Sequence, residues 1–299
     1  MNILIFGAGA IGSLFGGLLS RNNNVFLVAR KPHIDEINKN GLTIKGKTEL
    51  NLNIKASTDI KDIDFEPDLI ILTVKSYDTE KAMLELKNII GKNTYLLSLQ
   101  NGLDNISKIK RYIDDKNILV GITTQASFFC KPGVIMHTGK GQTSLGFLYK
   151  NQLETLNKIK KIFNDSKIDT DLSKDIFREM WEKAIINSCI NPLTAFFRCN
   201  NGYLLKNPIL ENLLEKICRE STKIANKKGI KISYEEILEK TKEVIKKTSE
   251  NKSSMLQSIN KNNETEIDSI NGMFTKIAKK EKVEYLINEM LVYSIKNII

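Results

Sequence analysis

Lys183, Asn187 and Asn191 recur at i, i+4 and i+8 in a stretch otherwise rich in Ala, Ile, Leu and Phe. Helical spacing puts them on one face, an ammonium followed by two carboxamides. A polar stripe inside an apolar helix is costly unless it meets partners or a ligand, and asparagine is a weak helix former in such positions. An ammonium there can hand a proton to an oxygen that is gaining negative charge, as the reduction of a carbonyl requires. The spacing fits equally a hydrogen-bonded seam between helices with its lysine in solvent. Histidine is the commoner proton donor, but the chain has two. His33 adjoins a candidate phosphate contact and His137 falls among strand-like runs of the first half, so a lysine or a carboxylic acid is expected to give the proton.

A matching hydride source is legible at the other end of the chain. A strand-like run, Asn2–Phe6, leads straight into Gly7-Ala8-Gly9-Ala10-Ile11-Gly12. In such a turn the first glycine takes the tight bend, the second lets backbone approach a pyrophosphate, and the third lets the next helix pack on the strand. The helix N-terminus then faces the anion. Gly7, Gly9, Ala10, Ile11 and Gly12 are therefore expected to bind a dinucleotide. The next strand, residues 25–29, ends in Arg30-Lys31 with no Asp or Glu. A carboxylate would repel a 2′-phosphate where a guanidinium can fork onto it, so NADPH/NADP+ is expected over NADH. Lys75 closes the run 69–74, and Gln100-Asn101-Gly102 follows another. Residues beyond the carboxyl ends of parallel strands look toward bound ligands, although by position alone each also reads as a turn residue.

These groups need a scaffold. Residues 1–172 alternate apolar strand runs (2–6, 25–29, 69–74, 95–98 and 118–122) with helical ones (11–19, 33–38, 79–89 and 104–112). That alternation describes an α/β fold with a Rossmann-type, doubly wound parallel sheet. Residues 125–147 read as further strands near the domain edge. From residue 173 to 299 the strand signals vanish and an all-helical domain is expected, with helices over 173–197, 208–228, 234–249, 253–260, 264–280 and 285–298. Thr265 to Asp268 read as an acidic helix start.

The net charge of +10 is nearly all lysine, with six arginines, and the lysines interleave with glutamates. That is a solvated coat and not a nucleic-acid face, though it suits anionic small ligands. Cys130, Cys189, Cys199 and Cys218 form no CxxC pair, which argues against zinc and against a disulfide framework and for a reduced, cytoplasmic setting. The apolar residues 3–19 have no basic residues before them and are broken by five glycines, unlike a signal peptide or a membrane span.

Taken in order, the motifs resemble those of the 2-dehydropantoate 2-reductase (ketopantoate reductase) family. They are the Gly7–Gly12 turn, Arg30, Lys75, Gln100-Asn101-Gly102, the run from Lys183 through Asn187 to Asn191-Pro192-Leu193-Thr194-Ala195, Ser253-Ser254-Met255-Leu256-Gln257, and Thr265-Glu266-Ile267-Asp268. The resemblance implies NADPH-dependent reduction of 2-dehydropantoate to (R)-pantoate on the way to pantothenate and coenzyme A. It implies Lys183 as general acid, and Asn101 positioning nicotinamide and substrate. It implies Asn187, Asn191 and Ser254 on substrate oxygens, Glu266 accepting the substrate hydroxyl, and Arg30 and Lys75 on the phosphate and ribose side of NADPH. A reductase of another small 2-oxo acid, or a non-catalytic dinucleotide sensor, are the alternatives. Self-association into a dimer is left open by the sequence.

Overall fold

The computed structural model describes residues 1–147 and 152–298. The chain divides into two units, one of Met1–Gln100 with Asn105–Ile176, the other of Asn101–Asp104 with Phe177–Ile299.

The first unit runs β1 (Asn2–Phe6), α1 (Ala10–Leu19), β2 (Asn24–Val28), α2 (Lys31–Asn40), β3 (Leu42–Gly46), β4 (Leu50–Leu52), β5 (Lys55–Ser57) and β6 (Leu69–Leu72). It continues with α3 (Thr79–Leu86), β7 (Tyr95–Ser98), α4 (Asn105–Ile109), β8 (Ile118–Thr123), β9 (Ala126–Lys131), β10 (Val134–Gly139), β11 (Thr143–Phe147), α5 (Leu153–Asp165) and β12 (Thr170–Leu172). An eight-stranded sheet has the order β12-β11-β8-β7-β6-β1-β2-β5. All its pairs are parallel except β11 with β8. The central strands β1 and β6 are buried along nearly their whole length, as strands covered on both faces must be, which is why their sequences are continuous apolar runs.

Residues 125–147 do not all extend this sheet. Only β11 joins it, whereas β9 and β10 pair with β3 and β4 in a separate four-stranded sheet. Strands β3 to β5 and β12 fall outside the expected set because they are short and mix polar with apolar residues. Helix α5 was also not expected, although Leu156, Ile159 and Phe163 bury one of its faces at helical spacing. The expected helices over 79–89 and 104–112 are shorter, ending at Leu86 and Ile109.

His33 holds the elements around the glycine turn together. Its Nδ1 accepts the Gly133 N–H (2.9 Å), so Nε2 carries the proton and donates to Ser13 Oγ (3.0 Å), which donates to the Ala8 carbonyl (3.1 Å). Burial pushes the ring's pKa from an ordinary 6.5 down to about 4. Above pH 6.5 the ring is neutral folded or unfolded and contributes no pH dependence. Below it the unfolded chain takes up a proton that the folded one refuses, so stability falls with pH until about 4. In denaturant unfolding, the stability lost between pH 7 and 4.5 should be smaller in His33→Gln than in the wild type by about 2.5 kcal/mol. His137 is likewise structural, with Nδ1 against Thr48 Oγ1 and Nε2 against Gln125 Oε1.

The second unit is helical, with α6 (Ile176–Phe196), α7 (Tyr203–Lys206), α8 (Pro208–Lys227), α9 (Tyr234–Lys247), α10 (Ser254–Ile259), α11 (Asn271–Glu281) and α12 (Leu286–Lys296). Asn207 caps α8 through the Ile209 and Leu210 amides, and Ser233 caps α9. The expected helix over 264–280 is corrected. It begins only at Asn271, and Thr265 to Asp268 are not its first turn, which carries no acidic residue. Thr265, Glu266, Ile267, Ser269 and Ile270 are all buried, a pattern no single helical face could give, so packing overrides local propensity there. Among the described residues, no helix is long and apolar enough to cross a membrane, and no cluster of His, Cys, Asp or Glu could hold a metal ion.

Candidate active site

In the first unit the candidate cofactor residues leave the sheet side by side. Strand β1 lies between β6 and β2, all three parallel, so the segments after them emerge at one edge. The turn after β1 is built as its glycines require. Gly7 has φ +95°, and a Cβ there would fall 2.6 Å from the Val74 nitrogen. A Cβ on Gly12 would fall 2.5 Å from Thr73 Oγ1 and 2.8 Å from the Gly7 carbonyl, so α1 seats against the sheet only with glycine. Above Gly9 the space is open apart from the Gly7 oxygen at 3.8 Å. Helix α1, buried from Gly12 to Leu19, has no side-chain cap and no acid in its first turn. Its first amides therefore lack a side-chain acceptor, and its positive end is aimed at the open side. This donor set fits a pyrophosphate.

Arg30 stands at the N-cap of α2, directly after β2, with its side chain 84% exposed. Its guanidinium lies 3.7 Å from the Asp78 carboxylate, a partner the sequence did not suggest. Asp78 closes a single 3-10 turn, Ser76–Asp78, whose N-cap is the half-buried Lys75. The turn beyond β6 thus brings Lys75 and, through Asp78, Arg30 to the same edge as the glycine turn. Gln100 is structural: its Nε2 donates to the Val74 carbonyl (2.9 Å) and Thr79 Oγ1 (2.8 Å), fixing the neighbouring turn.

The second unit gathers the remaining candidates. Lys183 and Asn187 are half-buried on α6, and Asn191 is 5% exposed, so the stripe is not a solvent face. Thr194 donates to Ser253 Oγ (2.7 Å), and Ser253 caps α10 by accepting the Leu256 amide. This tie docks the start of α10, with half-buried Ser254, one turn beyond Asn191. Ala195 of α6, Met255 and Leu256 of α10, and Ile267 share one apolar cluster, which seats the Thr265–Ile270 stretch against the same end of α6. Leu103 N–H donates to the Ser269 carbonyl (3.0 Å), so the short loop bearing Asn101 is fastened to that stretch too.

Electrostatics single out Lys183. Desolvation lowers its pKa from 10.5 to about 8, against the opposing pull of the Glu266 carboxylate. Glu266 is itself only 7% exposed. A lysine tuned this way is protonated at neutral pH yet close to releasing its proton, the property a general acid needs. Sequence reasoning missed Asp78, which lies between Lys75 and the next helix in a short turn that no periodicity marks, and Asn271, which read as an ordinary helix residue.

Comparisons with known proteins agree across both units. The ketopantoate reductase PanE/ApbA family profile matches residues 3–150, and its C-terminal counterpart residues 175–298. A 2-dehydropantoate 2-reductase of Pyrococcus horikoshii is 41% identical over 294 residues, covering 97% of this chain and 95% of that protein. One from Aquifex aeolicus is 30% identical over 304 residues, covering 99% and 96%. Among solved structures, a ternary complex of D-mandelate dehydrogenase with NADH and anilino(oxo)acetate superposes with a TM-score of 0.95 at 26% identity, covering 100% of this chain and 98% of that one. A PanE/ApbA family ketopantoate reductase from Ralstonia eutropha gives 0.92 at 25% identity with the same coverage. With both halves of the sequence matched and full-length relatives at this identity, the chain belongs to the ketopantoate reductase family.

Proposed function

We propose that the chain reduces 2-dehydropantoate to (R)-pantoate with NADPH, with Lys183 as general acid. The observation that carries the reading is the half-buried ammonium of Lys183, held at a pKa of about 8 on one helical stripe with Asn187 and Asn191 and facing Glu266. Bound NADPH supplies the hydride for the 2-oxo carbon. Ala10, Ile11 and Gly12 hold its pyrophosphate through the amides of the first turn of α1. Gly7 and Gly9, whose own amides donate to the Val28 and Gly7 carbonyls, give the turn its bend and its open side, and Arg30 and Lys75 take its phosphate and ribose side. Asn101 orients nicotinamide and substrate. The Lys183 Nζ–H donates to the ketone oxygen and gives up its proton as that oxygen becomes an alkoxide, which leaves a neutral amine suited to a desolvated site. Asn187, Asn191 and Ser254 hold substrate oxygens. Glu266 accepts from the substrate's hydroxyl, a contact that simpler 2-oxo acids cannot offer. These roles place the protein in pantothenate and coenzyme A formation, in the cytoplasm.

A second reading follows from the D-mandelate dehydrogenase likeness: the same fold serves a protein solved with NADH and an oxoacetate lacking that hydroxyl. The deciding assay follows NADPH oxidation on adding 2-dehydropantoate, with NADH and unhydroxylated 2-oxo acids as controls. The expected result is a kcat/KM for 2-dehydropantoate with NADPH at least about tenfold above every control. Equal or better rates with NADH and an unhydroxylated acid would select the second reading.

A further inference from the structure

Helix α6 contains Pro192, which has no N–H to donate to the Ser188 carbonyl four residues earlier. The missing bond would join residues 188 and 192, each one position past a stripe asparagine, so the helix is free to bend within the polar stripe. The Ser188 carbonyl is not left orphaned. Asn271 Nδ2 donates to it at 3.1 Å, and to Asn288 Oδ1 at 2.9 Å. Asn288 Nδ2 in turn donates to Ser221 Oγ (3.2 Å), and Ser221 Oγ meets Ser188 Oγ (3.1 Å), which closes a ring. Ser188, Ser221, Asn271 and Asn288 are all fully buried.

Glu220 sets the direction of the ring. Its carboxylate accepts from the Ile287 and Asn288 amides and from Asn288 Nδ2 (2.7 Å). A carboxylate only accepts, so Asn288 must turn its NH2 toward Glu220 and its oxygen toward Asn271. Asn271 must then present its own NH2, the group that the Pro192 gap requires. This orientation leaves Asn271 Oδ1 buried without a hydrogen-bond partner among the described residues. Both donor bonds are kept at that cost.

Asn271 opens α11 directly after the stretch that carries Glu266 and seats the Asn101 loop through Ser269. We infer that Asn271 is a positioning residue for catalysis: it clamps α6 at its proline gap to the Glu266 stretch and so fixes the Lys183 ammonium relative to Glu266 and the two stripe asparagines. The inference rests on the role given to Lys183 above.

The test is a cycle of P192A, N271A and the double variant, read in kcat, KM and pH profile. Alanine at position 192 restores an N–H that can bond the Ser188 carbonyl, making the clamp redundant. N271A alone is expected to lower kcat by about tenfold or more with KM for NADPH little changed. The basic limb of its kcat profile should move upward, because a loosened site hydrates Lys183 and relieves the desolvation that lowers its pKa. In the P192A background the same substitution should change kcat by less than about threefold. An equal penalty in both backgrounds, or a folded N271A with wild-type kcat and pH profile, overturns the inference. Should N271A fail to fold, P192A and P192A/N271A still decide it, a gap of about tenfold or more between them being the contrary result. A Lys183→Ala variant measured alongside separates the two claims: if it retains turnover, the reading of Lys183 has failed, whatever Asn271 does.

Discussion

Replacing Lys183 by alanine is expected to lower turnover by roughly 10²- to 10⁴-fold, the usual worth of a positioned general acid, while leaving NADPH affinity nearly unchanged. The split follows from where the residues lie. Lys183 is on α6 in the second unit, whereas the glycine turn, Arg30 and Lys75 belong to the first, so loss of one ammonium leaves the cofactor contacts intact. In the wild type, reduction requires the protonated amine, so the rate should fall as pH rises through about 8, where Lys183 deprotonates. The reverse oxidation needs the neutral amine and should rise over the same range. The residual activity of Lys183→Ala should lose this basic limb. Steady-state rates from pH 6 to 9.5, together with NADPH titration by fluorescence, measure both effects; a variant that keeps its turnover or the limb shows that the proton comes from elsewhere.

Glu266→Gln carries the second large effect and acts in two separable ways. The carboxylate raises the Lys183 pKa against desolvation, so neutralising it lets burial act unopposed. The ammonium then deprotonates more readily, and the basic limb of reduction should move below pH 8. The substitution also weakens the acceptor for the substrate's hydroxyl. A charge-assisted hydrogen bond is worth about 1.5–3 kcal/mol, so kcat/KM for 2-dehydropantoate should drop by roughly 10- to 100-fold at pH 6.5, where Lys183 remains protonated. An unhydroxylated 2-oxo acid lacks that contact and should lose far less. Equal losses on both substrates would remove Glu266 from substrate recognition and leave it only its effect on the lysine.

Much of this was legible because the physics is local. The glycine turn declares itself through three neighbours in sequence, and the parallel strands through unbroken apolar runs. The stripe of Lys183, Asn187 and Asn191 is a helical periodicity that needs no tertiary knowledge. What escaped depends on contacts between distant residues. Thr265–Ile270 has the acidic composition of a helix start, yet its burial is decided by α6 and α10. Glu266 entered only through the family resemblance, because its pull on Lys183 joins positions eighty-three apart, and Asp78 meets Arg30 only because β6 and β2 flank β1. Asn271 matters because a proline seventy-nine positions earlier leaves a carbonyl in need of a donor.

Asn101–Asp104 cluster with the helices although the chain on either side of them belongs to the sheet. Ribosomal synthesis therefore delivers those four residues long before Ser269, the residue that holds Leu103, has been made. A fragment beginning at Phe177 would lack them altogether, and one ending at Ile176 would carry them with nothing to grip. Neither half obtained by cutting the chain at its main boundary is a whole folding unit, and mixing the two pieces should regain activity only where the loop finds its anchor.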